Sequence, residues 1–587
     1  MAAAQKLSGT NRHSLVRTYI VRIPKDRNMT QRHGHLTPRD HQFVLSLLVV
    51  MQSTCLLFSL VVASPARADV PGKRMQTARK KAAQRNRRIV YNDDGGAIVT
   101  AGSPEDFLAT RIRHIVNTQV DTVFHNTGQT TVFQHATDVA ETIDGAIALY
   151  GSNAHGRRQA DHIISLRNAG TDSLTLTSMF CRRHNIEYFW SLRMNDIHDA
   201  LPGEIWRQGR WKHEHRDYLL GKPQDWDVYP AHDPRKWWTA MNFAETSVRD
   251  YLYSVIEEVC ERYDVDGIEL DWWRSPLFFR PTLTMKPVEQ THIDMMNGFV
   301  RRIRTMTERV AQERSRPLLV AVRLPMSVER SLAIGLDVET WLEDDLVDIL
   351  TGGCGYAPRA MAPSIRQLVN FARPYGVPVF ACISSSGIRG DSGTERPDDR
   401  TIDLWRGAAM NIWQAGASGV YTFNYCPQYR DERFSQMGSA ESLKGLDKIY
   451  AIDSIQEPTF EGDLRPGLVV PNRLPLEFSV AGDVTARLPV GENITAGTPA
   501  GKRCRARLRL WVSGLGRDDV VSVSLNGVPV GEARREAEQP DANDSLIEFE
   551  PDPRQVLTGT NLVDIHVNTS QPGERALHNT ELLVRYR

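Results

Sequence analysis

Residues 266–273 read "DGIELDWW", and the alternation inside this stretch decides the fold. Two acids, Glu269 and Asp271, interrupt an otherwise apolar run. Along an extended strand successive side chains point to opposite faces. Gly267, Glu269 and Asp271 therefore share one face, and Ile268, Leu270 and Trp272 share the other. The apolar set is suited to packing against helices, which turns the acids toward the inside of the sheet. Glu269 lies deeper and Asp271 nearer the rim, with Cα atoms about 6 to 7 Å apart from two strand rises.

Working outward, similar runs recur with helical segments between them. "RIVYN" near 90, "DTVFHN" near 123, "IEYFWSLRMND" near 190, "PLLVAVRLP" near 321, "LVDILTGG" near 349, "GVPVFACISS" near 380 and "GVYTFNY" near 422 join "DGIELDWW" to make eight strand candidates. In "VRDYLYSVIEEVCERY", Val248, Tyr251, Leu252, Val255, Ile256, Val259 and Cys260 recur at the spacing of one helix face. Eight strand–helix alternations predict an α/β fold, a (β/α)8 TIM barrel, over residues 89–455. A doubly wound open sheet is the alternative, but no Gly-rich phosphate loop follows the first strand, and no cofactor is expected. Beyond this, "RARLRLWVSGL", "DVVSVSLNGVPVG", "SLIEFEP", "NLVDIHVN" and "TELLVRYR" are short period-two runs separated by turn residues, with a hairpin signal at Asn526–Gly527. They predict a C-terminal β-sandwich, jelly-roll-like, over residues 466–587.

The chain has 587 residues, enough for more than one domain, and 71 basic against 71 acidic side chains. Residues 1–68 hold nine Lys/Arg and two Asp/Glu, which leaves residues 69–587 at a net −7. Such a chain has no general call on nucleic acid. The basic lead with Arg32 and Arg39, the apolar run Phe43–Ala63 and the small-x-small pair Ala66 and Ala68 form an export-signal pattern over residues 1–68. The alternative is an uncleaved membrane anchor through residues 43–63, which are enough to span a bilayer. Either way the globular part is expected to be secreted or periplasmic. "PGKRMQTARKKAAQRNRR", within residues 69–88, reads as a solvated basic linker. Six cysteines outside the signal are scattered, without the spacing of a zinc motif or a dense disulfide framework. One bridge among Cys354, Cys382 and Cys426 is open after export, and buried free thiols are the plainer account.

In a barrel of this kind chemistry sits at the carboxyl ends of the strands. Two neighbouring carboxyls raise each other's proton affinity, so that one stays protonated while the other is ionised. Glycosidic bond cleavage needs such a division of labour. Asp271 and Glu269 are the candidate catalytic acids, with Asp196 in "LRMNDIHD" as a further acid from another strand. The competing account is that Glu269 or Asp271 forms an internal ion pair with Arg193 or Arg323. Arg193, Asn195, His198, Arg274, Arg323, Trp272, Trp273, His125, Tyr356 and Asn424 lie at or after strand ends as candidate substrate-binding residues. Five of the twelve tryptophans, Trp206, Trp211, Trp226, Trp237 and Trp238, fall in the long connection after the third strand. Aromatic faces suit sugar rings, although they also suit a small core of the loop's own. "HEH" at 213–215 and "NDIHD" at 195–199 hold possible metal ligands, but their spacing matches no self-contained motif, and no metal is assigned.

"EYFWSLRMNDIHD", "VRDYLYSVIEEVCERYDVDGIELDWWR" and "GLDVETWLEDDLVDIL" together resemble the glycosyl-hydrolase-like barrel proteins of exported bacterial carbohydrate-degrading systems. The resemblance implies a carbohydrate substrate and a glycoside hydrolase activity. The fourth strand is also distantly similar to the chitinase signature "DGxDxDxE", with Glu269 and Asp271 at the two Asp positions and Trp273 where the catalytic Glu would stand. The C-terminal region resembles galactose-binding-like sandwiches. A polysaccharide lyase, with His125 or Tyr356 as base and Arg323 neutralising a uronate, is a second class. A non-catalytic glycan-binding surface protein is a third.

Overall fold

A computed structural model describes residues 71–587, apart from 96–101, 231–232, 285, 354–361, 385–401, 424, 428, 454–473, 479–482, 517, 536–543 and 569–572. The export signal with its anchor alternative, Cys354, Tyr356 and Asn424 lie outside the described residues. All eight strands expected from the sequence form: β1 (Ile89–Asp93), β2 (Val120–Asn126), β5 (Glu187–Arg193), β6 (Gly267–Asp271), β7 (Leu319–Leu324), β8 (Ile349–Gly352), β9 (Val379–Ser384) and β10 (Gly419–Phe423). They close in that order into a parallel barrel, β10 pairing back onto β1. A small two-stranded pair, β3 (Val132–Phe133) and β4 (Glu141–Thr142), leaves the barrel after β2.

Alternation along each strand builds two cores. The outward set, including Tyr188, Trp190, Ile268, Leu270, Trp272, Val320 and Val322, merges with the helices, among them Thr246–Arg262 and Gln290–Glu313. The inward set begins with Val90, Phe124, Phe189, Leu319, Ile349 and Phe380. Phe124 and Phe189 stack at 4.5 Å between ring centroids. Glycines make room for these rings: a Cβ on Gly267 would lie 2.2 Å from a Phe189 ring carbon, and one on Gly419 2.7 Å from Phe380. Below them the floor is closed by Arg87, whose guanidinium donates to both oxygens of Glu187 at 2.6 and 2.8 Å, joined by the Thr122 hydroxyl at 3.0 Å.

Residues 71–88 differ from the expected solvated linker. Pro71–Ala83 is a helix, built from good helix formers with proline at its first position. Arg79, on this helix, is buried and pairs with Asp348 at 2.7 Å and with Asp345. Charge density suggested solvation, but the partners that make burial tolerable come from far along the chain.

The C-terminal strands form two antiparallel sheets. One contains β11 (Lys448–Asp453), β12 (Leu476–Phe478), β14 (Cys504–Ser513), β17 (Arg534–Arg535), β18 (Asp544–Phe549) and β20 (Arg575–Tyr586). The other contains β13 (Asp483–Val490), β15 (Val520–Leu525), β16 (Val528–Pro529) and β19 (Gly559–Asn568). Leu508, Leu510 and Val512 of one share a core with Val521, Val523, Val563 and Ile565 of the other. Asn526 and Gly527, at φ 55° and 79°, form the two-residue hairpin turn between β15 and β16. β11, within the stretch expected to belong to the barrel domain, pairs with β20 instead. It also backs onto the helix Ile402–Gln414, where a Cβ on Gly407 would meet the Ile449 carbonyl at 2.0 Å. Among the described residues no helix is long and apolar enough to cross a membrane, and Cys181, Cys260, Cys382, Cys426 and Cys504 are free thiols.

Gly267→Ala should lower stability by about 1–3 kcal/mol through overpacking against Phe189, read as a shift of the unfolding midpoint, and combination with Phe189→Leu should recover part of it. An unmoved midpoint in the single variant would show that the ring does not constrain this position.

Candidate active site

The site begins with the parity of β6. Cα partners across the barrel run Ser191–Glu269–Ala321 at one level and Arg193–Asp271–Arg323–Thr351 at the level above. Both acids thus face inward, as the alternation predicts, with Asp271 at the strand's carboxyl end. Their surroundings differ. Glu269 is fully buried, and its Oε2 accepts from the Ser191 hydroxyl at 2.6 Å and the Tyr421 hydroxyl at 3.0 Å. Its Oε1 has no partner among the described residues. Burial, with Asp271 adding like charge, pushes the Glu269 carboxyl from an ordinary value near 4.5 up to about 8. Near neutral pH it is predominantly the neutral acid.

Asp271 accepts four hydrogen bonds. Arg323 donates from Nε and Nη2 at 2.9 Å each, and the backbone N–H groups of Trp273 and Arg274 reach Oδ1 at 3.0 and 3.1 Å. The ion pair weighed as the competing account therefore forms. Arg323 is buried, with its guanidinium carbon 4.1 Å from the centre of the Phe423 ring. Burial opposes its charge, and Asp271 outweighs burial, so its proton is held more tightly than usual.

A second polar chain runs along the mouth. Arg193 pairs with Asp94 and, at 2.8 Å, with Asp196. Asp196 accepts from the His198 backbone N–H at 3.0 Å and lies 2.6 Å from His198 Nδ1. Arg274 Nη2 lies 2.8 Å from His198 Nε2. Since arginine only donates, Nε2 is the acceptor and Nδ1 carries the hydrogen given to Asp196. Burial works against ionised Asp196, but His198 and Arg193 outweigh it and hold the carboxyl well below its ordinary range.

Four other expected positions play different parts. His125 is on the outward face of β2, fully buried, with Nδ1 2.8 Å from the Tyr188 hydroxyl. Burial drives its pKa well below the ordinary value, and it does not reach the mouth. Asn195 is spent on backbone: its amide donates to Leu277 O at 2.6 Å and Met241 O at 3.1 Å, and its oxygen accepts from Met241 N at 3.0 Å. It staples two loops together. Trp272 faces the helices and packs on Phe243, Phe278, Phe299 and Trp341, as its strand parity requires. Trp273 is also buried. The tryptophans of the long connection pack largely on the barrel's outer core and on one another: Trp238 is part of that core, Trp211 stacks on His215 and on Tyr251 of the helix Thr246–Arg262, and Trp226 meets Trp237 edge-on. Among the described residues no group of three or more His, Cys, Asp or Glu is placed to hold a metal ion.

A cavity of about 100 Å³ lies beside the mouth. Its walls come from the ends of β1 and β2, the β3 loop, the helix Ala154–Asn168, and Trp206 with Arg207. Arg193 lines it and is also the register partner of Asp271, so it joins cavity and barrel mouth. Gln129, Gln134 and Gln159 line it too. Gln129 and Gln134 come from the polar loop "HNTGQTTVFQH", which carries no recognisable catalytic spacing, and Gln159 from the helix Ala154–Asn168.

No known family profile and no curated protein matches the chain. Among solved structures, similar ones are glycoside hydrolases or related enzymes. A GH36 alpha-galactosidase from Geobacillus stearothermophilus has 10% identity and a TM-score of 0.35, covering 88% of this chain and 59% of its own. A family GH18 chitinase from Chromobacterium violaceum has 10% identity and a TM-score of 0.30, covering 83% and 89%. An Anoxybacillus alpha-amylase has 8% identity and a TM-score of 0.34, covering 83% and 99%. The chain spans 57% of the length of a Paenibacillus cycloisomaltooligosaccharide glucanotransferase that it also resembles.

The raised Glu269 value has a thermodynamic consequence. Between its ordinary value near 4.5 and about 8, the folded state keeps a proton that the unfolded state has released, so stability falls as pH rises through that window. Glu269→Gln should remove this decline, measured as denaturation midpoints across the window. A decline of the same size in the variant would place its origin in other groups.

Proposed function

We propose that the chain is an exported glycoside hydrolase that cleaves an oligosaccharide or polysaccharide at the carboxyl-end mouth of the barrel. Asp271 is the reactive carboxylate and Glu269 the protonated acid on the same interior face, with Asp196 as the further acid. Arg193, His198, Arg274 and Arg323 position the sugar and the acids. The observation that carries this is the contrast between the two carboxyls of β6. One accepts four hydrogen bonds and donates none; the other is pushed up to about 8. Glycoside hydrolysis uses that contrast, one carboxyl giving a proton to the leaving oxygen while the other attacks or activates water.

A second reading, a non-catalytic glycan-binding protein, is favoured by a separate observation. Both oxygens of Asp271 are engaged by Arg323, and neither β6 acid lines the adjoining cavity. For a lyase, His125 is buried against Tyr188 on the outward face of β2, and the other candidate base, Tyr356, lies outside the described residues.

Incubation of the full chain with a panel of polysaccharides separates these readings. Hydrolysis gives new reducing ends, and Asp271→Asn should lower their rate roughly 100-fold or more while the circular dichroism spectrum is retained. Full activity in that variant would remove Asp271 from the mechanism. Retention of a glycan without new reducing ends would favour the binding protein, and ultraviolet-absorbing unsaturated products would favour a lyase.

A further inference from the structure

The cavity beside Arg193 has an unusual inventory of unmet hydrogen-bonding groups. Gln129, Gln134 and Gln159 are 8%, 6% and 8% exposed, and the side-chain oxygen of each has no partner among the described residues. All three line the same space. The orientation of one amide is fixed by its surroundings: Gln134 Nε2 donates to the Gly95 carbonyl at 2.5 Å. That carbonyl only accepts, so the Gln134 oxygen must be the atom left over. The indole N–H of Trp206, 1% exposed, is a matching donor without a partner. Val132 and Ile143 add apolar surface to the wall.

Buried polar groups in native proteins are almost always paired. Several acceptors around one space, a single donor and an apolar patch therefore specify the occupant by chemistry. It must present several hydrogen-bond donors, at least one acceptor and a C–H face. Anions are a poor match, because the unmet groups are mostly acceptors. The arginines in the wall are already engaged, Arg193 by Asp94 and Asp196 and Arg207 by Glu204 at 2.6 Å. Cations are a poor match as well, because Asp94, the carboxylate in the wall, is itself paired with Arg193.

We propose that this side cavity is a subsite for a neutral, hydroxyl-rich sugar ring, held by the three glutamine oxygens and the Trp206 N–H. It rests on the glycan reading above and narrows it: the ring seated here bears neither a carboxylate nor an amine. Arg193, which lines the cavity and is the register partner of Asp271, links the subsite to the barrel mouth.

The test is binding, read without turnover. The full chain is titrated calorimetrically with glucose, galactose, mannose and their neutral disaccharides, and separately with glucuronate and glucosamine. Saturable binding of a neutral sugar is expected, weakened roughly tenfold by Gln159→Leu and likewise by Gln129→Leu, with unchanged circular dichroism. The glutamines are on different elements, so a folding defect in one variant leaves the other informative. Equal binding in both folded variants would overturn the subsite. So would tighter binding of the charged sugars, or saturable binding of none, which would leave the amides to water. Binding without new reducing ends would instead sink the hydrolase reading and leave the subsite standing.

Discussion

The barrel mouth is organised by the ion pair between Asp271 and Arg323. A guanidinium and a carboxylate removed from water are tolerable only with near-ideal geometry and with their remaining groups satisfied. Two parallel N–H···O bonds, two backbone N–H groups and the face of Phe423 supply most of that. The pair borders a second buried acid. Burial, with the like charge of Asp271 one level above adding to it and Arg323 opposing it, makes ionisation of Glu269 costly, so Glu269 keeps its proton and uses Ser191 and Tyr421 as donors to one oxygen. Strand periodicity places both acids inside, and their surroundings differ: Arg323 pairs with Asp271, while Glu269 is buried without a cationic hydrogen-bond partner among the described residues.

The same logic repeats at the floor, where Arg87 and Glu187 close the opposite end with a bidentate pair. Between the two ionic ends is an apolar layer in which glycines on β6 and β10 face phenylalanines on β5 and β9. Breaking one partner of a buried pair typically costs about 3–5 kcal/mol. Neither end of the barrel is therefore a neutral place for variation.

Much of this was legible in the sequence, for a physical reason. Buried parallel strands are continuous apolar runs, and all eight emerged from that signal, as did the Asn526–Gly527 hairpin. The inward orientation of Glu269 and Asp271 followed from a period of two. What stayed hidden depends on distant partners. Residues 71–83 read as a solvated basic tract because Asp345 and Asp348, which hold Arg79, lie more than 260 positions away. His125 stands near the end of its strand, where mouth residues are expected, but it is one step out of phase with the inward set of β2 and so faces outward. Asn195 looked like a ligand-binding amide, yet all its hydrogen bonds go to loop backbones. The glutamines of the side cavity belong to a polar loop and a helix whose proximity no local pattern encodes.

The seam between β11 and the helix Ile402–Gln414 joins two architectures that could have been strung together loosely. Gly407 is pressed against the Ile449 carbonyl, and β11 contributes to the second sheet through its ladder with β20. Nearby, Lys448 pairs with Glu492 at 2.8 Å in a largely buried position. A barrel cut free of its companion would bare an apolar helix flank and forfeit the strand that shields it. The sandwich is thus continuous with the barrel's outer packing rather than hung on it by a loose tether.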